Sequence, residues 1–257
     1  MLNFDNEILS PLDQFEIKNF INIDSNILSS NISLTNIGLY LIISVIVIFA
    51  LHTLAIYSNR LISNYWTISE ESMYYSVHNI VINQINAKKG QIYFPFIYGL
   101  FLFILINNLI GLIPYSFAST SHFILTFFIS FTVVLGASIL GFQRHGLYFF
   151  SLFVPSGCPL ALLPLLVLIE FISYLSRCVS LGLRLAANIM SGHMLLSILS
   201  GFTYKIMMSG FLFFVIGLLP LMFILAFSSL ELGISFIQAQ VFVVLTCSYI
   251  KDGLDLH

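Results

Sequence analysis

Charged residues are scarce in this sequence. Of its 257 residues, 8% are Asp, Glu, Lys or Arg and 59% are hydrophobic, whereas soluble domains carry about 25% charged residues. The formal net charge of −2 offers no positive excess for a polyanion, so we expect no nucleic-acid binding. The composition instead predicts a polytopic membrane protein with room for about five or six spans of about 20 residues each.

Motifs for metals, cofactors and nucleotides are also missing. The cysteines, Cys158, Cys178 and Cys247, are too widely spaced for a metal or redox motif and are expected to be small buried residues. No two histidines have a spacing within one helix that would hold a haem. The chain lacks a G-x-x-x-x-G-K-[ST] loop, so we expect no catalytic nucleotide site in it, no cofactor and no metal.

Hydrophobic runs divide the chain, which we expect to be one membrane domain over 1–257. Residues 1–36 are polar and mostly acidic, without the basic region and apolar core of a secretory signal. A first span is expected over 37–58 and a hairpin of two spans over 94–142, followed by a polar turn, "GFQRHG" (141–146). Arg60, Lys88 and Lys89 follow the first span, so the positive-inside rule places the N-terminus outside.

Residues 66–85 alternate between apolar and polar residues at helical spacing. Met73, Val77 and Ile80 recur on one face, and Thr67 with Glu70 matches a capping box. The pattern predicts an amphipathic helix on the inner membrane surface. A connector helix inside a larger assembly would have the same pattern.

Residues 160–252 hold two hydrophobic patterns, each too long for an upright span. About 40 residues at 1.5 Å per residue make about 60 Å of helix, twice the hydrocarbon thickness. Both helices must therefore be tilted, bent or broken, and Gly182, Gly192, Gly201 and Pro220 are places to bend. We place the turn between them at Lys205. The expected fold class is all-α, with one upright N-terminal span, an amphipathic surface helix, a helical hairpin and two long, strongly tilted C-terminal helices.

Polar residues form a stripe along each long helix. The first stripe has spacings of three or four residues and comprises Glu170, Ser173, Arg177, Ser180, Arg184, Asn188 and Ser191. The second comprises Glu231, Ser235, Gln238, Tyr249 and Asp252. Ionisable residues in a membrane are costly and usually face a bundle interior or a water-filled path. Both stripes are therefore candidate functional sites.

Arg184 is the strongest candidate, because no acidic residue lies three or four positions away on its own helix. Its partner must come from elsewhere, for example from another protein. Glu170 and Arg177, seven residues apart, could instead be an ion pair that only fixes helix packing.

His193 lies nine residues after Arg184 and points about 180° away from the arginine. It is either a hydrogen-bonded packing residue or a group that passes protons, because its pKa is near neutrality. We expect His193 to meet Glu231, although a straight hairpin with its turn at Lys205 would separate them by about 20 Å.

Several motifs stand in order along nearly the whole chain: "SPLDQFEI" (10–17), "NLIGLIPYSFASTSH" (108–122), "GFQRHG" (141–146), "PLLVLIEFISYLSR" (164–177), "SLGLRLAANIMSGHMLL" (180–196), "LELGISFIQAQVF" (230–242) and "YIKDGLDLH" (249–257). Together they resemble the subunit a family of rotary F-type ATP synthases, particularly its fungal-type mitochondrial members. The resemblance implies a proton-conducting stator subunit in the mitochondrial inner membrane. Its partners would be the c-subunit ring, the peripheral stalk and other membrane-sector subunits, and nucleotide chemistry would belong to other subunits.

The family's functional residues carry over by position. The resemblance implies two aqueous half-channels separated by an essential arginine, Arg184. Glu231 and His193 match the outer half-channel, and Glu170 and Asp252 match the half-channel on the matrix side. The remaining expected members of the proton path are Asn188 and Gln238 as polar neighbours of the arginine, Tyr249 as an interfacial residue, and Arg177.

Three other functions stay open on the residues alone. A stand-alone ion channel or transporter usually shows internal repeats, and the sequence shows none. A redox subunit would need cofactor ligands. A structural scaffold predicts that neutralising Arg184 leaves proton flux intact.

Overall fold

Helices dominate the protein, apart from its N-terminal segment. The computed structural model describes residues 10–24, 31–56, 64–85, 87–113, 116–154 and 162–254. Within them, a single 3₁₀ turn, Asp13–Phe15, precedes two antiparallel strands, β1 (Asn19–Asp24) and β2 (Asn31–Thr35). Six α-helices follow: α1 (Asn36–Ile56), α2 (Tyr65–Ile85), α3 (Ala87–Gly111), α4 (Phe123–His145), α5 (Leu163–Met208) and α6 (Phe211–Leu254).

In the described residues, all α-helices except α2 are long and apolar enough to cross a membrane. This confirms the expected polytopic fold class. The β-hairpin is an addition that the polar N-terminal pattern did not indicate. Positions 57–58 of the first expected span and 160–161 of the long-helix region lie outside the described residues, as do Arg60 and Cys158.

Helix α2 is amphipathic as expected, but its start differs. It begins at Tyr65, and the Thr67 hydroxyl donates to the Asn64 carbonyl at 2.6 Å. Glu70 instead lies 2.7 Å from the His52 ring nitrogen of α1. The expected capping box is therefore wrong, because the helix begins two residues before Thr67.

The apolar core lies between α2, α3, α4, the middle of α5 and the second half of α6. Fully buried Ile97, Phe101 and Ile104 of α3 belong to the same cluster as Phe242 and Val243 of α6. The first half of α6 is mostly exposed, and its buried face begins at Glu231. The core therefore fixes the second half of α6, on which the acidic residues of the second stripe lie.

The helix-connecting turns correct two expectations. Helix α4 continues through "GFQRH" to His145, and the chain reverses at Gly146, whose φ of 56° is a left-handed conformation that glycine adopts readily. The turn between α5 and α6 consists of Ser209 and Gly210, and Lys205 lies in the last turn of α5 instead of in the connection.

Both long helices are continuous. With 46 and 44 residues, they are about 69 and 66 Å long at 1.5 Å per residue. Pro220 lies inside α6 without ending it. The alternative of broken helices is therefore wrong. Helices of this length must be tilted or bent to fit into a bilayer.

Candidate functional site

The two polar stripes face different surroundings. On α5, Arg177, Ser180 and Arg184 are exposed, whereas Cys178 and Leu185, about 100° around the helix from the two arginines, are buried. The stripe on α6 is more buried, with Glu231, Ser235 and Tyr249 inside the fold and with Gln238 and Asp252 half-buried. The stripe on α6 thus faces mostly into the bundle, whereas the stripe on α5 points out of the chain.

Arg184 lies on that outward face. Among the described residues, no carboxylate lies within 4.0 Å of its guanidinium, so it forms no ion pair there. Asn188, one turn later, is half-buried on the same helix. A guanidinium presents five donors and cannot lose its charge in a protein, so the arrangement leaves Arg184 available to a group outside this chain.

Arg177 connects the two polar stripes. Its Nη2 lies 3.8 Å from Glu170 Oε1 on α5, and its Nη1 lies 3.8 Å from Asp252 Oδ2 on α6. We call these three residues the arginine cluster. Their side chains are 46%, 43% and 31% exposed, and ion pairs this exposed contribute about 0–1 kcal/mol. The Glu170–Arg177 ion pair, which the sequence left open as an alternative, is present within α5, and Arg177 also pairs with Asp252 on a second helix.

Tyr249 lies beneath the arginine cluster and is 3% exposed. Its ring meets that of Tyr174 edge-on at a centroid distance of 6.3 Å. An aromatic contact between the two long helices therefore lies next to the arginine cluster.

His193 and Glu231 meet on the other side of Arg184. His193 Nε2 lies 3.9 Å from Glu231 Oε1, which confirms their expected proximity. We call them the histidine pair. Glu231 is only 5% exposed, and among the described residues neither its carboxylate oxygens nor His193 Nε2 has a hydrogen-bond partner. Buried polar atoms almost always have partners, so these atoms are suited to receive water or a proton.

The position of the turn explains how these two residues meet. With the turn at Ser209 and Gly210, His193 lies 16 residues before it and Glu231 lies 21 residues after it. The difference of five residues corresponds to about 8 Å. The offset of about 20 Å expected from a turn at Lys205 is therefore wrong.

Gly192 makes room for the acidic side chain. A Cβ at this position would lie 2.5 Å from Glu231 Oε1 and 2.8 Å from its Cδ. The sequence suggested Gly192 only as a place to bend. Because Gly192 is next to His193 in the sequence, a direct role in the site could have been predicted for it.

A cavity of about 1010 Å³ leads to the histidine pair. Its walls come from the N-terminal segment, the start of α1, the residues after α3 and the α5–α6 hairpin. The titratable lining residues are Asp13, Glu16, Lys18, Tyr40, His193 and Glu231. The N-terminal members carried no functional assignment from the sequence.

Buried polar residues at the end of α3 were also missed. Asn107 and Asn108 are fully buried, and the Asn108 amide donates to the Ser235 carbonyl of α6 at 3.4 Å. Ser119 donates to Asn107 Oδ1 at 3.0 Å. Two adjacent asparagines inside an apolar run were the signal that could have identified them. Asn108 thus joins α3 to α6 one turn beyond Glu231, and Asn107 holds the segment after α3.

Arg184 lies between Arg177 and His193 along α5. Arg177 lies seven residues before Arg184, and His193 lies nine residues after it, which is about 10 and 14 Å along the axis. Two carboxylate-containing groups thus lie on opposite sides of one outward-facing arginine. Such a site can exchange protons at two separate places with a fixed positive charge between them.

The described residues contain no group of three His, Cys, Asp or Glu residues that could hold a metal ion. Cys178 and Cys247 are free, buried thiols, which confirms the expected burial of these two cysteines.

Comparisons with known proteins give a consistent result. A family model described as "ATP synthase A chain" matches residues 38–251. The chain is 72% identical over 252 residues to ATP synthase subunit a of Trichophyton rubrum, a match that covers 98% of this chain and 99% of the relative. It is 72% identical over 253 residues to the same subunit of Emericella nidulans, with 98% of each chain covered. For Wickerhamomyces canadensis the identity is 50% over 249 residues, with 96% and 97% covered.

Proposed function

The chain belongs to the ATP synthase A chain family, and from this premise we propose that Arg184 separates two proton half-channels that end at the histidine pair and at the arginine cluster. As a family member, the chain is the proton-conducting stator subunit of the enzyme's membrane sector in the mitochondrial inner membrane. The observation that carries the proposal is the placement of two carboxylate groups on opposite sides of an outward-facing arginine that has no ion-pair partner in the described part of the chain.

Arg184 acts on the partner that its helix face contacts. We propose that this partner is the ring of c subunits and that its carboxyl groups pass along the exposed stripe of α5. A positive charge within about 4–6 Å of a carboxyl favours its ionised form, so a ring carboxyl that arrives beside Arg184 releases its proton. Because the guanidinium keeps its own proton, it also blocks direct proton transfer between the half-channels.

The histidine pair takes up protons from the outer side. The cavity brings water to Glu231, whose oxygens lack other partners among the described residues. A proton held there passes to a ring carboxylate, and the neutral ring carboxyl can then move into lipid at low cost. His193, 3.9 Å away, relays protons to the same carboxylate.

The arginine cluster accepts protons for release on the matrix side. Glu170 and Asp252 both lie 3.8 Å from the Arg177 guanidinium and are partly exposed, so released protons reach water there. Tyr249 is proposed to order water between this cluster and Arg184, and Asn188 and Gln238 are proposed to be polar neighbours of Arg184 itself. Each proton that crosses 100 mV supplies about 2.3 kcal/mol for rotation.

The test is replacement of Arg184 in the assembled complex. Arg184→Ala is expected to abolish ATP-driven proton pumping in membrane vesicles, while copurification of the complex is retained because the side chain is exposed. Lys205→Ala is the matched control, since it removes an exposed positive charge from the same helix and should pump normally. Normal pumping by assembled Arg184→Ala would contradict the proposal and favour a scaffold role. A stand-alone channel would purify without ring and nucleotide-binding subunits.

A further inference from the structure

The N-terminal segment forms one wall of the cavity that leads to the histidine pair. Asp13 and Glu16 line this cavity together with Glu231, and both are exposed to solvent. We call them the acidic rim. We propose that the acidic rim collects protons for Glu231, an inference that rests on the proposed function and adds the N-terminal segment to the proton path.

The buried end of the cavity requires an ion or a solvent molecule. Glu231 is 5% exposed, and both its carboxylate oxygens lack hydrogen-bond partners among the described residues. An unsatisfied buried carboxylate that lines a cavity is a receptor for a proton or a hydrated cation. The acidic rim thus lies at the open side of a cavity whose far side holds a proton acceptor.

Two contacts hold the acidic rim in place. The ring of Phe15, between Asp13 and Glu16, packs edge-on against the His193 ring at a centroid distance of 6.3 Å. The Asn36 side chain at the start of α1 donates to the Glu16 carbonyl at 3.3 Å. The rim is therefore in contact with the histidine pair, which is distant in sequence, and with α1.

The charge of the rim is negative but partly offset. Lys18 Nζ lies 3.6 Å from Glu16 Oε2, and both side chains are about two-thirds exposed, at 68% and 66%. An ion pair this exposed is weak, so Glu16 still contributes to the local potential. Lys18 also lines the cavity and should oppose proton collection, which gives the proposal a variant of opposite sign.

At neutral pH the low concentration of free protons limits the rate at which Glu231 can be protonated. With free protons at about 10⁻⁷ M and a diffusion limit of about 10⁹–10¹⁰ M⁻¹ s⁻¹, one buried carboxylate meets roughly 10²–10³ protons per second. A cleft lined by charges of one sign raises local counter-ion concentration and association rates by about 10–10³-fold. Rim carboxylates can therefore change the rate at which Glu231 is protonated.

The experiment measures passive proton flux through membranes from which the catalytic head has been stripped, at neutral pH with little mobile buffer. The rim variant combines Asp13→Asn with Glu16→Gln. We expect its flux to fall about three- to tenfold at about 10 mM ionic strength, and the defect to vanish near 1 M, where the Debye length shrinks from about 30 Å to about 3 Å. Lys18→Gln should raise the flux by about twofold at low ionic strength.

Two further variants complete the design. Glu71→Gln removes an exposed acidic charge from α2 and should match the unmodified complex. Glu231→Gln should abolish flux at every ionic strength. A rim defect of equal size at both ionic strengths, or a rim variant indistinguishable from Glu71→Gln, would overturn proton collection while leaving the proposed function intact. Unchanged flux in Glu231→Gln would overturn both.

Discussion

The histidine pair and the arginine cluster each place carboxylates beside α5, but their surroundings are opposite. In the histidine pair a single carboxylate is buried, lacks hydrogen bonds among the described residues and lines a cavity. In the arginine cluster two carboxylates share one guanidinium and remain partly exposed. Removing a single buried carboxylate has larger consequences than removing one of several exposed charges. The two sites should therefore differ in their sensitivity to substitution.

Glu231→Gln is expected to have the largest effect. The amide keeps the size of the side chain but cannot exchange a proton, so passive flux should fall by at least about 100-fold, within the range that positioned acid–base groups contribute. Flux through membranes stripped of the catalytic head measures this. A loss smaller than that caused by Arg177→Gln would reverse the proposed order of the two sites.

Gly192→Ala should come next. Its Cβ would lie 2.5 Å from Glu231 Oε1, so the carboxylate must move, and we expect flux to fall about tenfold because misplacement by about 1 Å costs up to about 100-fold. Gly201→Ala is the matched control, because nothing lies within 4 Å of a Cβ there. Equal flux in the two variants would show that the position of Glu231 is not critical.

Arg177→Gln should reduce flux only a few-fold. It breaks both 3.8 Å ion pairs, yet the carboxylates stay exposed to solvent and keep their own charges. The cost in stability should be about 0–1 kcal/mol, so the complex should assemble at normal yield, as seen by copurification. Arg144→Gln, at the end of α4, is the control for loss of an exposed arginine. Complete loss of flux would mean that Arg177 itself separates the half-channels.

His193→Ala should have the smallest effect, about two- to threefold, because a relay group can be replaced by a water molecule that is held nearly as well. Proton flux and its dependence on pH both report on this variant. His193→Gln tests the packing alternative, because it restores polar contacts without a titrating group. If Gln restores full flux, His193 is a packing residue and the histidine pair reduces to Glu231.

Spacing along the helices could predict which residues align, but not what they face. The three- and four-residue intervals aligned Arg177, Arg184 and Asn188 correctly on α5. Whether that face meets lipid, water or protein depends on tertiary packing, which placed it outward and placed Glu231 inward. Periodicity fixes relative direction only.

The misplaced turn shows a second limit. The turn between the two long helices was predicted at Lys205 because this residue is charged. Ser209 and Gly210 form the connection instead. A lysine in the last turn of a helix interacts favourably with the C-terminal carbonyl groups, so its charge did not mark a loop. The cavity was equally hidden, because its walls come from segments far apart in sequence, and no local pattern indicates that Phe15 contacts His193.

The most direct measurement asks from which side of the membrane each site can be reached. Single cysteines would be introduced as Ser197→Cys, in the cavity wall, and as Ser173→Cys, on the α5 stripe beside the arginine cluster, in a chain whose own three cysteines are replaced. A membrane-impermeant maleimide is then added to either face of sealed, oriented vesicles. We expect Ser197→Cys to react only from the outer side and Ser173→Cys only from the matrix side. Reaction of both positions from the same side would contradict the separation of two half-channels by Arg184.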